Sequence, residues 1–330
     1  MGRVTRSLCR DNKGIPMDTL PVGQLSRREV LCGALAVAAG ALVRPALAAS
    51  AAPLPLITKA IPSSGERLPV IGLGTDKFEV DERAAIQGEI QRLRQLGGSV
   101  IDTAAAYGDA ETLIGEALAG SRDKVFLATK LTASGRGYNG DGVGGQASFE
   151  RSLVRLKTRK VDLLQIHNLD GVETLLPQLR EWQQAGRIRY VGITTSRVAQ
   201  HGQMIDFMRR YPLDFVQVDY SIDNRDAAQT LLPLAQERHI AVLANVPFGF
   251  GNVLKQAQGR KLPPWAADLD VTSWAQFLLK YVISHPAITV AIPGSTQVAH
   301  LEDNQAAARG RLPDAAMRKK MEQYWDAAGG

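Results

Sequence analysis

Beyond residue 48 the chain has no cysteine, because Cys9 and Cys32 both lie before that point. Residues 49–330 are therefore without disulfides, thiolate metal ligands or a cysteine nucleophile, and they suit an oxidising compartment. Histidine is scarce as well, and the five histidines include no metal-ligand spacing. No apolar run reaches the roughly 20 residues needed to cross a bilayer. A one-sided charge is also missing from the main part of the chain. Residues 1–48 hold seven Arg and Lys against three Asp and Glu, four of the six net positive charges, which leaves +2 for the rest. A nucleic-acid partner loses its electrostatic support on that count.

What is present begins with an export pattern. Ser26-Arg27-Arg28-Glu29-Val30-Leu31 matches a twin-arginine signal, Leu31 to Val43 forms an Ala-rich apolar stretch, and Ala46-Leu47-Ala48 offers an A-x-A cleavage site. The apolar stretch is too short for a stable membrane anchor. Glu29, at the start of a would-be lipobox ending in Cys32, argues against a lipoprotein. Residues 1–48 are thus predicted to be a removed signal peptide, and the protein to be periplasmic or secreted.

From Ala49 onward no composition break suggests a second domain, and the length suits one α/β barrel. Ile61-Pro-Ser-Ser-Gly-Glu-Arg67, between apolar runs, predicts a hairpin closing the barrel bottom. Short β-branched or bulky apolar runs predict strands near 71–74, 99–102, 125–129, 161–166, 189–193, 215–219, 241–245 and 288–292. Helical patterns fall near 82–97, 110–119, 146–157, 173–186, 197–209, 226–238 and 272–284, with a last helix at 314–326. Strands alternating with helices predict parallel strands whose C-terminal ends share one face.

Three of those runs end in residues with chemistry. Val100-Ile101 leads into Asp102, with Tyr107 and Gly108 in the following small-residue loop; Val125-Phe-Leu-Ala-Thr leads into Lys130; Val161-Asp-Leu-Leu-Gln-Ile leads into His167. On a common face these four would converge. A phenol has an ordinary pKa of about 10, and a nearby ammonium favours the phenolate, making it a better proton donor. Lys130 would supply that charge, Asp102 would hold Lys130 protonated, and His167 would hydrogen-bond a carbonyl oxygen. Proton transfer beside a carbonyl is half of a hydride-transfer reaction; a cofactor supplies the other half.

The order Asp102, Tyr107 (in Ala-Ala-Ala-Tyr-Gly), Lys130 (in Ala-Thr-Lys) and His167 (in Leu-Gln-Ile-His-Asn) resembles the aldo-keto reductase superfamily. The resemblance runs from Leu68-Pro-Val-Ile-Gly-Leu-Gly-Thr75 to Ile292-Pro-Gly-Ser-Thr296 and Asn304. It implies a single-domain (β/α)8 TIM barrel that binds NADP or NAD extended, without a Rossmann domain, and reduces an aldehyde, ketone or sugar with Tyr107 as general acid. It further implies cofactor contacts at Thr75, Gln217, Ser295, Thr296 and Asn304. Thr194 and Thr195 stand where many members have Ser-Asn, and Asn245 where many place a stacking aromatic. Gly294 and His300 replace the Lys and Arg that commonly hold a 2′-phosphate, so a preference for NADPH is not implied.

Two loops are long. Gly135-Arg-Gly-Tyr-Asn-Gly140 fits G-x-G-x-x-G formally, but the strand before it ends several residues earlier and the next ends in His167. A dinucleotide fingerprint needs a strand-to-helix turn and a closing acidic residue, so the stretch reads as a substrate loop. Residues 246–271, including Phe248, Gly249 and Gly251, would lie over the cofactor pyrophosphate by the same resemblance. His201, His239 and His285 read as surface residues, and Trp265 as a pocket-lining one. The expected partners are a small carbonyl substrate and the twin-arginine export machinery, for a protein that is otherwise a monomer. The rival reading is an exported barrel that binds without fast turnover, since Thr195, Asn245, Gly294 and His300 depart from the family pattern.

Overall fold

The structure is a computed structural model and describes residues 54–136 and 142–327. The signal-peptide reading of residues 1–48 and the middle of the Gly-rich loop, residues 137–141, lie outside the described residues.

The first two strands, β1 (Thr58–Ala60) and β2 (Arg67–Pro69), form an antiparallel hairpin with Lys59 opposite Leu68. Gly65 takes the left-handed conformation of its turn, φ +76°, and its N–H donates to the Ile61 carbonyl at 2.8 Å. Ile61 and Leu68 pack with Val100, Phe126 and Phe215. The Tyr190 hydroxyl ties the turn down through Ser64 Oγ, at 2.8 Å, and Glu66 Oε2, at 2.7 Å. This is the expected hairpin at the barrel bottom.

Eight parallel strands follow in sequence order: β3 (Leu73–Gly74), β4 (Val100–Asp102), β5 (Phe126–Leu131), β6 (Val161–Ile166), β7 (Ile188–Thr194), β8 (Phe215–Asp219), β9 (Ala241–Asn245) and β10 (Ile288–Ala291). Each pairs with the next. Parallel bridges from Ile71 to Ala291 and from Gly74 to Gly294 join the two edges, as do bonds from Gly72 N to Ala291 O at 2.8 Å and from Gly74 N to Pro293 O at 2.9 Å. The architecture is the predicted single-domain (β/α)8 barrel.

The helices are α1 (Arg83–Gln95), α2 (Ala110–Ala117), α3 (Gly145–Arg155), α4 (Val172–Gln184), α5 (His201–Arg210), α6 (Leu231–Glu237), α7 (Asn252–Ala257), α8 (Trp274–Ile283), α9 (Val298–Ala306) and α10 (Ala315–Ala327). Two of them correct the sequence reading. Residues 246–271 are not one loop, since α7 and a 3₁₀ segment at Pro264–Leu269 fall inside them. Helix α9 had no counterpart among the expected elements. Six residues are too few to display a helical period, and α9 buries only Leu301, Asn304 and Gln305. Lys130 also lies within β5 rather than just beyond it.

The strands place the site through their two-residue alternation. Val100, Phe126, Leu163, Tyr190, Phe215 and Ala241 fill the barrel interior with apolar atoms. Two or four residues further along the same faces come Asp102, Lys130, Gln165, Thr194, Gln217 and Asn245. The interior therefore turns from apolar to polar towards the C-terminal ends of the strands, and the register sets Lys130 beside Gln165 and Thr194 beside Gln217.

Candidate active site

Lys130 lies at the centre. Its Nζ donates to Asp102 Oδ2 at 2.5 Å, to the Thr103 carbonyl at 2.9 Å and to the Tyr107 hydroxyl at 3.4 Å. Asp102 and Lys130 are both buried. Burial alone would lower the lysine pKa, but the Asp102 carboxylate and the Tyr107 phenol hold it above its ordinary value, so the ammonium persists. Asp102 Oδ1 is held in turn by the side-chain amides of Gln217, at 3.0 Å, and Gln165, at 3.3 Å. Thr75 Oγ1 donates to the Asp102 carbonyl at 3.0 Å, and Thr194 Oγ1 to Gln217 Oε1 at 2.8 Å.

The Tyr107 ring meets His167 edge-on, with centroids 5.7 Å apart and planes at 82°. Burial pushes the His167 pKa down to about 3, helped by the charge of Lys130, so the imidazole is neutral. One expectation is corrected here. Burial raises the phenol of Tyr107 above its ordinary value, and Lys130 opposes that rise without overcoming it. The lysine thus limits how weak an acid the buried phenol becomes.

The structure brings Asp102, Tyr107, Lys130 and His167 together at the C-terminal ends of the strands, where barrel sites form. Gln165 escaped the sequence reading. Its signal was present: a lone amide inside the apolar run of β6, two residues before His167. Backbone strain gathers on the same face, with positive φ at Asn168 and Leu169 after β6 and at Val246 and Phe250 after β9. Such conformations cost about 1–3 kcal/mol each and concentrate at functional sites.

Comparison with known proteins adds to this geometry. Residues 70–324 match the profile of the Aldo/keto reductase family. The chain belongs to the aldo/keto reductase family. It is 30% identical to the methylglyoxal reductase YeaE of Escherichia coli, across 78% of this chain and 92% of that protein. An aldo/keto reductase from Klebsiella pneumoniae, solved in complex with NADP and acetate, superposes with a TM-score of 0.67 at 25% identity, covering 79% of this chain and 93% of that one. The holo form of aldo-keto reductase AKR11C1 from Bacillus halodurans has the same fold, with a TM-score of 0.67, 23% identity and coverage of 82% and 96%.

The remaining positions implied for this aldo-keto reductase lie in the C-terminal halves of the strands and in the segments that follow them. Gln217 and Thr194 are buried in the Asp102 network. Asn245 Nδ2 donates to the Thr195 carbonyl at 3.0 Å, while Thr195 Oγ1 bonds Gln200 at 2.5 Å. Phe248, Gly249 and Gly251 form the turn into α7. Ser295 Oγ donates to the Gln297 carbonyl at 3.0 Å just ahead of α9, Asn304 is buried on that helix, and Thr296 and His300 remain accessible to solvent.

Three readings fail. His201 is buried, not on the surface: its Nε2 bonds Asp219 Oδ1 at 2.9 Å, and Asp219 Oδ2 accepts from Asn224 at 2.6 Å. His285 packs edge-on against Tyr220, and burial lowers its pKa to about 4. Only His239 is exposed as expected. Trp265 packs on Phe277 and Tyr324 among the C-terminal helices, away from the cleft beside Lys130.

Proposed function

We propose that this protein is an exported carbonyl reductase that uses NADPH or NADH, with Tyr107 as the general acid. The observation that carries the reading is the single Lys130 ammonium shared between the Asp102 carboxylate and the Tyr107 hydroxyl, beside a neutral imidazole. A pure binding protein has no need of a buried ion pair aimed at a phenol, because such pairs add little stability for their desolvation cost.

The cofactor fits the residues present. Among the described residues Gln165 Oε1 and Asn245 Oδ1 are buried acceptors without a partner, and unsatisfied buried acceptors invite a donor. A nicotinamide carboxamide carries such N–H groups. Ser295, Thr296 and Asn304 are the positions that would hold the adenosine end. With no Lys or Arg at positions 294 and 300, and with Arg309 already donating to the Leu54 and Leu96 carbonyls at 2.6 and 2.7 Å, the reading expects relaxed choice or a tilt to NADH.

Reduced nicotinamide, when bound, supplies a hydride to the carbonyl carbon. The chain's own residues do the rest. His167, as a neutral donor, orients the carbonyl oxygen, and Tyr107 delivers the proton to it. Lys130 stabilises the phenolate that remains, and Asp102, fixed by Gln165 and Gln217, keeps Lys130 charged and in place. The twin-arginine pathway carries folded proteins, so the cofactor would travel bound and be recycled by a second substrate.

Mixing the purified protein with each reduced nucleotide, then adding methylglyoxal or another small aldehyde, tests the reading. Nucleotide oxidation that needs both protein and aldehyde is expected, with Kd values for NADH and NADPH within a factor of about ten. Binding of neither nucleotide would overturn it. NADPH a hundredfold tighter would place a phosphate-holding cation elsewhere, with the exposed Lys255 as the first residue to replace.

A further inference from the structure

A small cleft opens onto Lys130 and His167, lined also by Ala105, Leu131, Thr132, Arg136, Val143 and Ser148. The space it encloses is about 10 Å³, room for one water-sized group and far below the roughly 300–1,000 Å³ of sites for drug-sized ligands, so only the small end of a ligand enters it while the rest stays at its mouth. Among the described residues no carboxylate lines it. The charge of Lys130 is matched by Asp102, and His167 is neutral. Arg136 is the remaining cation, and among the described residues its guanidinium has neither an ion-pair nor a hydrogen-bond partner.

The backbone under Arg136 is built to hold it. Its N–H donates to Ser134 Oγ at 3.2 Å, and its carbonyl accepts from Thr132 Oγ1 at 3.4 Å. Ser134 is anchored in turn on Asp170, through its hydroxyl and through its N–H at 3.2 Å. Gly142 N donates across the loop to the Gly135 carbonyl at 3.1 Å. A Cβ on Gly135 would fall 2.3 Å from Val143 N, and one on Gly144 2.0 Å from the Ala133 carbonyl oxygen. Both glycines let the two arms of the loop touch, which stiffens the base from which Arg136 projects.

We propose that Arg136 selects small carbonyl compounds bearing a carboxylate, its planar guanidinium gripping the anion while the carbonyl reaches Tyr107 and His167. The proposal rests on the reading of this site as a carbonyl reductase. Phosphate shares the anion chemistry, and the small cleft favours the carboxylate.

The test compares kcat/KM for 4-oxobutanoate against butanal, and for glyceraldehyde 3-phosphate against glyceraldehyde, in the native protein, Arg136→Gln and Arg136→Lys. Succinate binding by calorimetry gives a readout that needs no turnover. The native protein should prefer 4-oxobutanoate over butanal, and Arg136→Gln should shrink that ratio by about ten- to a hundredfold, the scale of one charge-assisted hydrogen bond. Arg136→Lys should recover part of it, and succinate should bind the native protein but not Arg136→Gln. Equal use of 4-oxobutanoate and butanal by the native protein overturns the proposal, as does succinate binding that ignores Arg136. A preference confined to the phosphate pair overturns the carboxylate assignment. A protein that reduces neither aldehyde yet binds succinate through Arg136 keeps the anion site while the reductase reading fails.

Discussion

Tyr107 is pulled in two directions, and the balance between them is the chemistry of the site. Burial disfavours its phenolate, whereas Lys130, 3.4 Å from the hydroxyl and 4.8 Å from the ring centroid, favours it. The lysine is there because Asp102 compensates its burial, and Asp102 is there because two glutamine amides and the ammonium share its oxygens. Lys130→Met removes the centre of this arrangement. It should abolish most carbonyl reduction and also destabilise the fold by about 3–5 kcal/mol, the cost of stranding a buried charge. Chemical denaturation checks the second effect. A Lys130→Met protein as stable as the native one would show that Asp102 is protonated or otherwise partnered. Asp102, Lys130 and His167 were legible because each closes an apolar run at a strand end, and Tyr107 because it stands out in the small-residue loop after Asp102. Gln165 was harder to read, since an amide within a strand carries no motif. His201 was misread because its partner Asp219 is eighteen positions away in sequence and meets it only in the fold.

Strands did more than helices to make the molecule readable. An apolar run closed by a polar residue is visible at six of the parallel strands, and their two-residue alternation explains why those polar residues face one another. Helices α7 and α9 were invisible for opposite reasons: one is a turn and a half long, and the other lacks a strong apolar face. Helix α1 shows a conflict that no pattern announces. Glu89 is fully buried there, and among the described residues neither carboxyl oxygen has a partner in good hydrogen-bond geometry, although the nearby Ser295 hydroxyl partly offsets the burial. Burial raises its pKa. Between the ordinary value near 4.5 and that raised value the folded protein keeps a proton that the unfolded chain has released. Stability therefore falls as pH rises through that window and stays reduced above it. Glu89→Gln should remove this loss, raising Tm at pH 8 by about 2–4 °C for each kcal/mol recovered, with little change at pH 4. A lower Tm at pH 8 would mean that the carboxylate makes a stabilising contact.

At the scale of the whole molecule, the barrel is closed at its edges by β3 and β10 and plugged from below by the β1–β2 hairpin, which leaves the opposite face for chemistry. That architecture followed from the count and spacing of strands, because a parallel strand needs a helical return and eight such units close a ring. The substrate was not legible in the same way. It depends on loop geometry such as the glycine contacts beneath Arg136, which no periodicity encodes. The export reading is tested on the intact precursor: replacing Arg27 and Arg28 with lysine should leave it in the cytoplasm, whereas mature protein beginning near Ala49 in the periplasm of that variant would contradict the assignment. The central claim is that Tyr107 gives the proton, and Tyr107→Phe tests it most directly, because it removes one oxygen and leaves the ring against His167. With an aldehyde that the native protein reduces, measured at saturating NADH or NADPH, the rate should fall by about 10²–10⁴-fold, while nucleotide affinity and Tm stay close to native. A Phe variant that reduces the aldehyde at the native rate would contradict the account.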